Sequence, residues 1–280
     1  MKLFKIIFWE FYFILFSDLI KYRFDKYNIY IKFKFFIIYI IDFFRYDLII
    51  HDKKLKKIRK FIINNCEPID KNFLFISNYA VSKSKIKNGI AYCFGIHDDI
   101  SFETKLSDLL NFKVIMYDPS PISIKKYSNI NLKHNNITFF PYALSTEDKK
   151  MKFFYQKDNY NKENMSGSLL KEFSESNKYI EVECLSLPSM LKINKHEKID
   201  LIKMDIEGAG QEILENIFKN NVNEYINQIT LEIELSEEKE LNNQFLKLNK
   251  LFIKIKQNHK VYYIPRSKRF RSLELLIVKK

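Results

Sequence analysis

Glycine is scarce, with five residues in a chain of 280. Three of them, Gly95, Gly208 and Gly210, stand at the ends of apolar runs beside carboxylates, where positive φ or a close backbone approach is wanted. Cys66, Cys93 and Cys184 are odd in number, far apart and without a CxxC or Cys/His pairing. That spacing excludes a disulfide framework and a zinc site, and it fits a reducing, cytoplasmic setting. No apolar run approaches the roughly 20 residues of a spanning helix. Lys5, Glu10, Asp18, Lys32, Lys34 and Asp42 interrupt the Phe-, Ile- and Tyr-rich stretch from Met1 to Tyr46. Glu10 and the lack of a small-residue cleavage site also argue against a signal peptide. No metal-ligand cluster is visible. Asp205, Glu207 and Glu232 fall at strand ends, where acids more often bind hydroxyls and amines than a divalent ion, so no metal is expected.

What is present is apolar and basic. Hydrophobic residues make up 46% and aromatics 16%, which excludes a disordered polymer. The length suits one large domain with an appendage. A net charge of +13 invites a nucleic acid or an anionic membrane surface. However, Lys, Asn, Ile, Phe and Tyr are abundant together, as an AT-rich genome would impose, and no RNA-binding module is recognisable, so nucleic acid is not the expected partner. The lysines are scattered except for Lys53 to Lys60, KKLKKIRK, which reads as the polar face of a helix. Residues 1–65 read as two or three amphipathic helices. They pack on the main domain or on a second subunit, as in a homodimer, or they lie peripherally in the inner face of a membrane.

Residues 66–280 carry the pattern of strand, turn and helix. Ile199 to Gly210, IDLIKMDIEGAG, is a short apolar run that stops on two carboxylates and two glycines, the look of a buried parallel strand that delivers acids to a ligand crevice. Ile213, Leu214 and Ile217 then come at helical spacing. Ile90 to Gly95 is a second such strand, followed by a helix with Ile100, Leu106, Leu109 and Leu110 on one side. Phe112 to Asp118 is a third, after which Pro119 and Pro121 forbid direct continuation into a helix. Asp118 lies 23 residues after Gly95, the spacing of a nucleotide-type βαβ unit in which a glycine turn meets one end of the ligand and the next strand's acid binds ribose. Further strands are expected at Ile137 to Phe140, Tyr225 to Leu235, Phe252 to Gln257, Val261 to Ile264 and Leu273 to Val278, the last two as an antiparallel closing pair. Helices are expected at Leu187 to Ile193 and between Ser236 and Leu248. Residues 146–186 read as an inserted hairpin whose polar loop, Asn159 to Ser168, covers the substrate.

In this order the motifs CFGIHDDISFE (93–103), VIMYDPSP (114–121), FFPYALS (139–145) and LSLPSML with IDLIKMDIEGAG resemble the FkbM-type methyltransferases, from about Gly89 to Lys280. The resemblance implies a Rossmann-like, class-I methyltransferase α/β sheet, mostly parallel with an antiparallel C-terminal strand, and S-adenosyl-L-methionine as cofactor. It assigns Phe94, Gly95 and Ile96 to the turn around the cofactor's amino-acid half, with Asp98 and Glu103 supporting that pocket. It gives Asp118 the ribose, Pro119, Tyr142 and Ala143 the adenine, and Asp205 the methionine amino group or the incoming nucleophile. Methyl transfer to a sugar or glycan hydroxyl would need a base, for which Asp205, Glu207 and His97 are the candidates. Asp205 serves the cofactor only, or the proton as well. His97 is either that base or a turn residue bonded to backbone. The chain departs from the family pattern at His97, Gly210 and Glu234. The alternatives to glycan methylation are methylation of RNA, for which the net positive charge and the aromatics speak, and, given these departures, a non-catalytic membrane- or partner-binding protein on a degenerate methyltransferase fold.

Overall fold

The computed structural model describes residues 53–67, 73–77, 79–83, 88–155, 167–174, 177–235, 240–264 and 272–280. The helices read within Met1 to Tyr46 and most of the loop 159–168 lie outside them. Helix α1 (Lys53–Asn65) is followed by a hairpin of β1 (Phe73–Ile76) and β2 (Tyr79–Ser82). Strand and helix then alternate through β3 (Ile90–Phe94), α2 (Ser101–Leu110), β4 (Lys113–Tyr117), α3 (Pro121–Tyr127) and β5 (Ile137–Phe140). A block of short strands comes next: β6 (Ala143–Ser145), β7 (Lys149–Tyr155), β8 (Gly167–Ser168) and β9 (Tyr179–Ser186). Helix α4 (Leu187–Asn194) leads to β10 (Leu201–Met204), α5 (Gly210–Lys219), β11 (Gln228–Glu234), α6 (Leu241–Asn258), β12 (His259–Ile264) and β13 (Ser272–Lys279).

The main sheet has the order β12-β13-β11-β10-β3-β4-β5. All pairs among β11, β10, β3, β4 and β5 are parallel, whereas β13 runs against both of its neighbours. The chain winds outward from β3 to β5 and then restarts at β10 on the other side of β3. That reversal opens a crevice at the carboxyl ends of β3 and β10, where ligands bind in such sheets. This is the Rossmann-like, class-I methyltransferase sheet the motifs imply. Its strands read as unbroken apolar runs because both faces are covered. Ala91, Cys93, Val114, Met116 and Leu201 pack one way against α2 and its surroundings. Tyr92, Phe94, Tyr117, Ile202 and Met204 pack the other way, in a larger core with Ile213, Leu214 and Ile217 of α5. Leu55, Ile58 and Ile62 of α1 belong to that larger core as well, and Phe61 meets Phe245 of α6 edge-on at 5.2 Å. Among the described residues no helix is long and apolar enough to cross a membrane.

Four local expectations need correction. Phe252 to Gln257 is not a strand but the end of α6. The helix buries Leu241, Leu248, Leu251, Phe252 and Ile255 at helical spacing, whereas Ile253 is 63% exposed. Leu109 is 55% exposed in the last turn of α2, which Asn111 closes in the left-handed conformation. As expected, β4 does not run directly into a helix: Asp118, Pro119 and Ser120 intervene, and Pro121 begins α3 because the fixed φ of proline suits a first helical position. Gly167 and Ser168, read as the end of a loop, are strand β8 paired with β7. The insert is a sheet of order β6-β9-β7-β8 rather than a bare hairpin.

Candidate active site

The crevice is built on the turn after β3. Gly95 has φ 71°, and a Cβ there would lie 1.7 Å from the backbone oxygen of Asp205. Only glycine lets the turn press on the end of β10, where the Asp205 amide donates to the Phe94 oxygen at 3.1 Å. Asp118, 5% exposed at the end of β4, holds the rest of the turn in place. Its Oδ2 accepts the Ile96 and His97 amides, both at 2.8 Å, and its Oδ1 accepts the Ser120 amide at 2.7 Å. The carboxylate read as a ribose ligand is thus first the staple of the turn, with a lone-pair direction on Oδ1 left over. His97 sits in the turn at φ 52°, and its carbonyl accepts the Ser123 hydroxyl at 2.7 Å. Its Nδ1 lies 2.9 Å from Asp98. Asp98 is exposed, reaches Lys126 at 3.4 Å and is held below the usual carboxylate range, chiefly by its bond with His97.

A buried ion pair supports the turn from beneath. Lys203 stands in the apolar run of β10 and is 4% exposed, and its Nζ donates to the Gly95 oxygen at 2.9 Å. Glu103 on α2 is fully buried, 3.7 Å from that Nζ. Burial would push the Lys203 ammonium down, but Glu103, Asp205 and other nearby acids outweigh it and hold it above its ordinary value. Burial raises the Glu103 carboxyl, against the pull of Lys203.

The rim beside the turn is acidic. Asp205 Oδ2 accepts the Tyr79 hydroxyl at 2.5 Å, a contact across 126 positions from hairpin β1–β2. Burial and then Asp205 itself push that phenol far up. Glu207 is bonded to Glu234 at the end of β11, and the Gly208 amide donates to Glu234 Oε2. Burial and the bond with Glu207 push the Glu234 carboxyl up to about 9. The inserted sheet clamps this turn: the Ser168 hydroxyl donates to the Glu207 oxygen at 2.5 Å, and Phe173 lies against Gly208. Gly210 starts α5 with its Cα against Glu232 of β11, where a Cβ would meet the backbone oxygen at 2.7 Å. The departure from the family's residue there has a packing reason.

The adenine candidates follow the ends of the neighbouring strands β4 and β5. Phe94, Tyr117, Phe140 and Tyr142 form a ladder of near-parallel rings with centroids 5.1, 5.6 and 6.2 Å apart. Beside it lies a shallow hollow lined by Tyr117, Phe140, Tyr142, Leu185, Met190 and Ile193. Ala143, next to Tyr142, is buried with Phe153 and Cys184 in the core of the inserted sheet, and Pro119 is buried beside Asp118. The structure therefore gathers Phe94, Gly95, Ile96, His97, Asp98, Glu103, Asp118 and Asp205 around one turn, with Glu207 on the next. Sequence reasoning missed Tyr79, for which no local signal exists. It also passed over Lys203, although a lysine in an otherwise buried run calls for a partner. Among the described residues no set of three or more His, Cys, Asp or Glu converges to hold a metal ion.

A strand-end glycine turn stapled by the next strand's acid, at the switch point of this strand order, is the ligand crevice expected of a class-I, S-adenosylmethionine-dependent methyltransferase. The chain matches the methyltransferase FkbM domain over residues 89–263, more than half its length, and it belongs to that family. No curated protein matches it. Among solved structures it is similar to the Methanococcus jannaschii fibrillarin pre-rRNA processing protein, with 10% identity, 69% of this chain and 67% of that one covered and a TM-score of 0.40. Aeropyrum pernix fibrillarin, solved with natively bound S-adenosyl-L-methionine, gives 11%, 69%, 67% and 0.39. A Plasmodium falciparum dimethyladenosine transferase gives 14%, 70%, 58% and 0.38. The residues present suit the cofactor. Gly95 leaves the turn bare of a side chain, and Asp205 offers an anion whose Oδ1 has no hydrogen-bond partner among the described residues.

Proposed function

We propose that the enzyme methylates a hydroxyl of a sugar or other glycan-like acceptor. The observation that supports this reading is the pair of carboxylates, Asp205 and Glu207, at the end of β10 under the clamp of the inserted sheet. S-adenosylmethionine, when bound, supplies a methyl group on sulfur, which the acceptor oxygen takes as the carbon–sulfur bond breaks. The enzyme's part is to orient the hydroxyl and accept its proton on a carboxylate oxygen, at or after the transition state. Carboxylates also accept hydrogen bonds from the flanking hydroxyls of a polyol. The same acids repel phosphates, so the net charge of +13 does not favour RNA at this rim. The Phe-, Ile- and Tyr-rich stretch Met1 to Tyr46 would hold the enzyme beside lipid-linked acceptors at a membrane surface. Methyl-tritiated cofactor offered with a panel of glycans and mixed RNA tests the reading. Label is expected in a glycan ether, and Glu207→Gln should slow its appearance about a hundredfold or more. Label in RNA alone would refute it.

A further inference from the structure

Nothing in the family resemblance gives Tyr79 a role, yet its hydroxyl makes the 2.5 Å bond to Asp205, whose backbone oxygen abuts Gly95. The ring is fixed on two sides. Phe102 of α2 meets it edge-on at 5.3 Å, and the buried Lys203 ammonium lies 5.2 Å from its centroid, within cation–π range. The hairpin that carries it is anchored in turn: the Ser82 amide donates to Gln228 Oε1 at 2.9 Å, and Phe73 packs on Tyr262 at 4.6 Å. A rigid phenol therefore donates to one oxygen of Asp205, and the other oxygen has no hydrogen-bond partner among the described residues.

The bond fixes the carboxylate in place, with one oxygen committed to Tyr79 and the other available to a cation. We propose that Tyr79 is a positioning residue that dedicates Asp205 to the cofactor's ammonium group. The inference rests on the cofactor reading of the Gly95 turn and is independent of the acceptor.

Two nucleoside probes separate the roles by calorimetry on the full chain. S-adenosylhomocysteine carries the ammonium, and 5′-methylthioadenosine lacks the amino-acid half. Tyr79→Phe keeps the ring and its contacts with Phe102 and Lys203 while removing the hydroxyl. It is expected to weaken S-adenosylhomocysteine about tenfold, the order of one hydrogen bond to a charged group, and to leave 5′-methylthioadenosine unchanged. Asp205→Asn should show the same selective loss, and the double variant should lose no more than Asp205→Asn alone. Equal weakening of both probes, or no weakening of either, overturns the role of Tyr79. Should Tyr79→Phe fail to fold, equal weakening of both probes by Asp205→Asn overturns it as well. A wild-type chain that binds neither probe would instead remove the cofactor reading itself.

Discussion

A methyl group on residue 95 would lie 1.7 Å from the Asp205 carbonyl oxygen, closer than any two such atoms can pack. That single distance explains why one of the chain's few glycines stands there. Around it, charges are placed in opposite environments. Asp118 is satisfied by three backbone amides, Asp205 by a phenol, and Glu234 is buried against another carboxylate. The last arrangement has a measurable consequence. Glu234 binds its proton up to about pH 9 in the folded chain, whereas in the unfolded chain the proton leaves near 4.5. Between those values the folded state holds more protons, so this carboxyl's contribution to stability is full below about 4.5 and is lost as pH rises through about 9. Glu234→Gln removes the titration, and the melting temperature of that variant should fall less between about pH 5 and 9 than that of the wild type. Equal slopes for the two would show that Glu234 is ionised at neutral pH.

Helix α6 shows how an element's period decides its form when local residues satisfy two patterns. FIKIKQ alternates well enough for a strand, but Leu241, Leu248, Leu251, Phe252 and Ile255 make one buried stripe that starts eleven residues before Phe252. Phe252→Ala should therefore cost about 3–5 kcal/mol in urea denaturation, as a buried aromatic does, while Ile253→Asp should stay within about 0.5 kcal/mol. A large loss at Ile253 would restore the strand. Elements buried on both faces are plain from the residues: β3, β4 and β10 are apolar runs that stop at Gly95, Asp118 and Asp205, and the crevice lies where they stop. The hairpin β1–β2 is not. Its strands have four residues each, and their partners, Gln228 and Asp205, lie more than a hundred positions away. Tyr79 becomes visible only when folding brings it to the site. The inserted sheet is half visible, as extended runs without the register that closes Ser168 and Phe173 over the Glu207 turn.

At the scale of the whole molecule, a basic chain presents an acidic crevice. The lysines that make the net charge +13 are spread over the sequence, while Asp205, Glu207, Glu232 and Glu234 collect at the carboxyl ends of two neighbouring strands. Long-range attraction to anionic surfaces and local preference for hydroxyls and amines are thus separate properties. The local preference depends on the turn that Asp118 staples to β3 at the switch point of the sheet. Titration calorimetry of the full chain with S-adenosylhomocysteine tests that dependence most directly. One molecule should bind per wild-type chain, and Asp118→Asn, once its cooperative unfolding has been checked, should bind about tenfold more weakly or worse because it loses charge-assisted bonds to the Ile96 and His97 amides. Absence of binding by the wild type, or equal affinity in Asp118→Asn, would contradict the account.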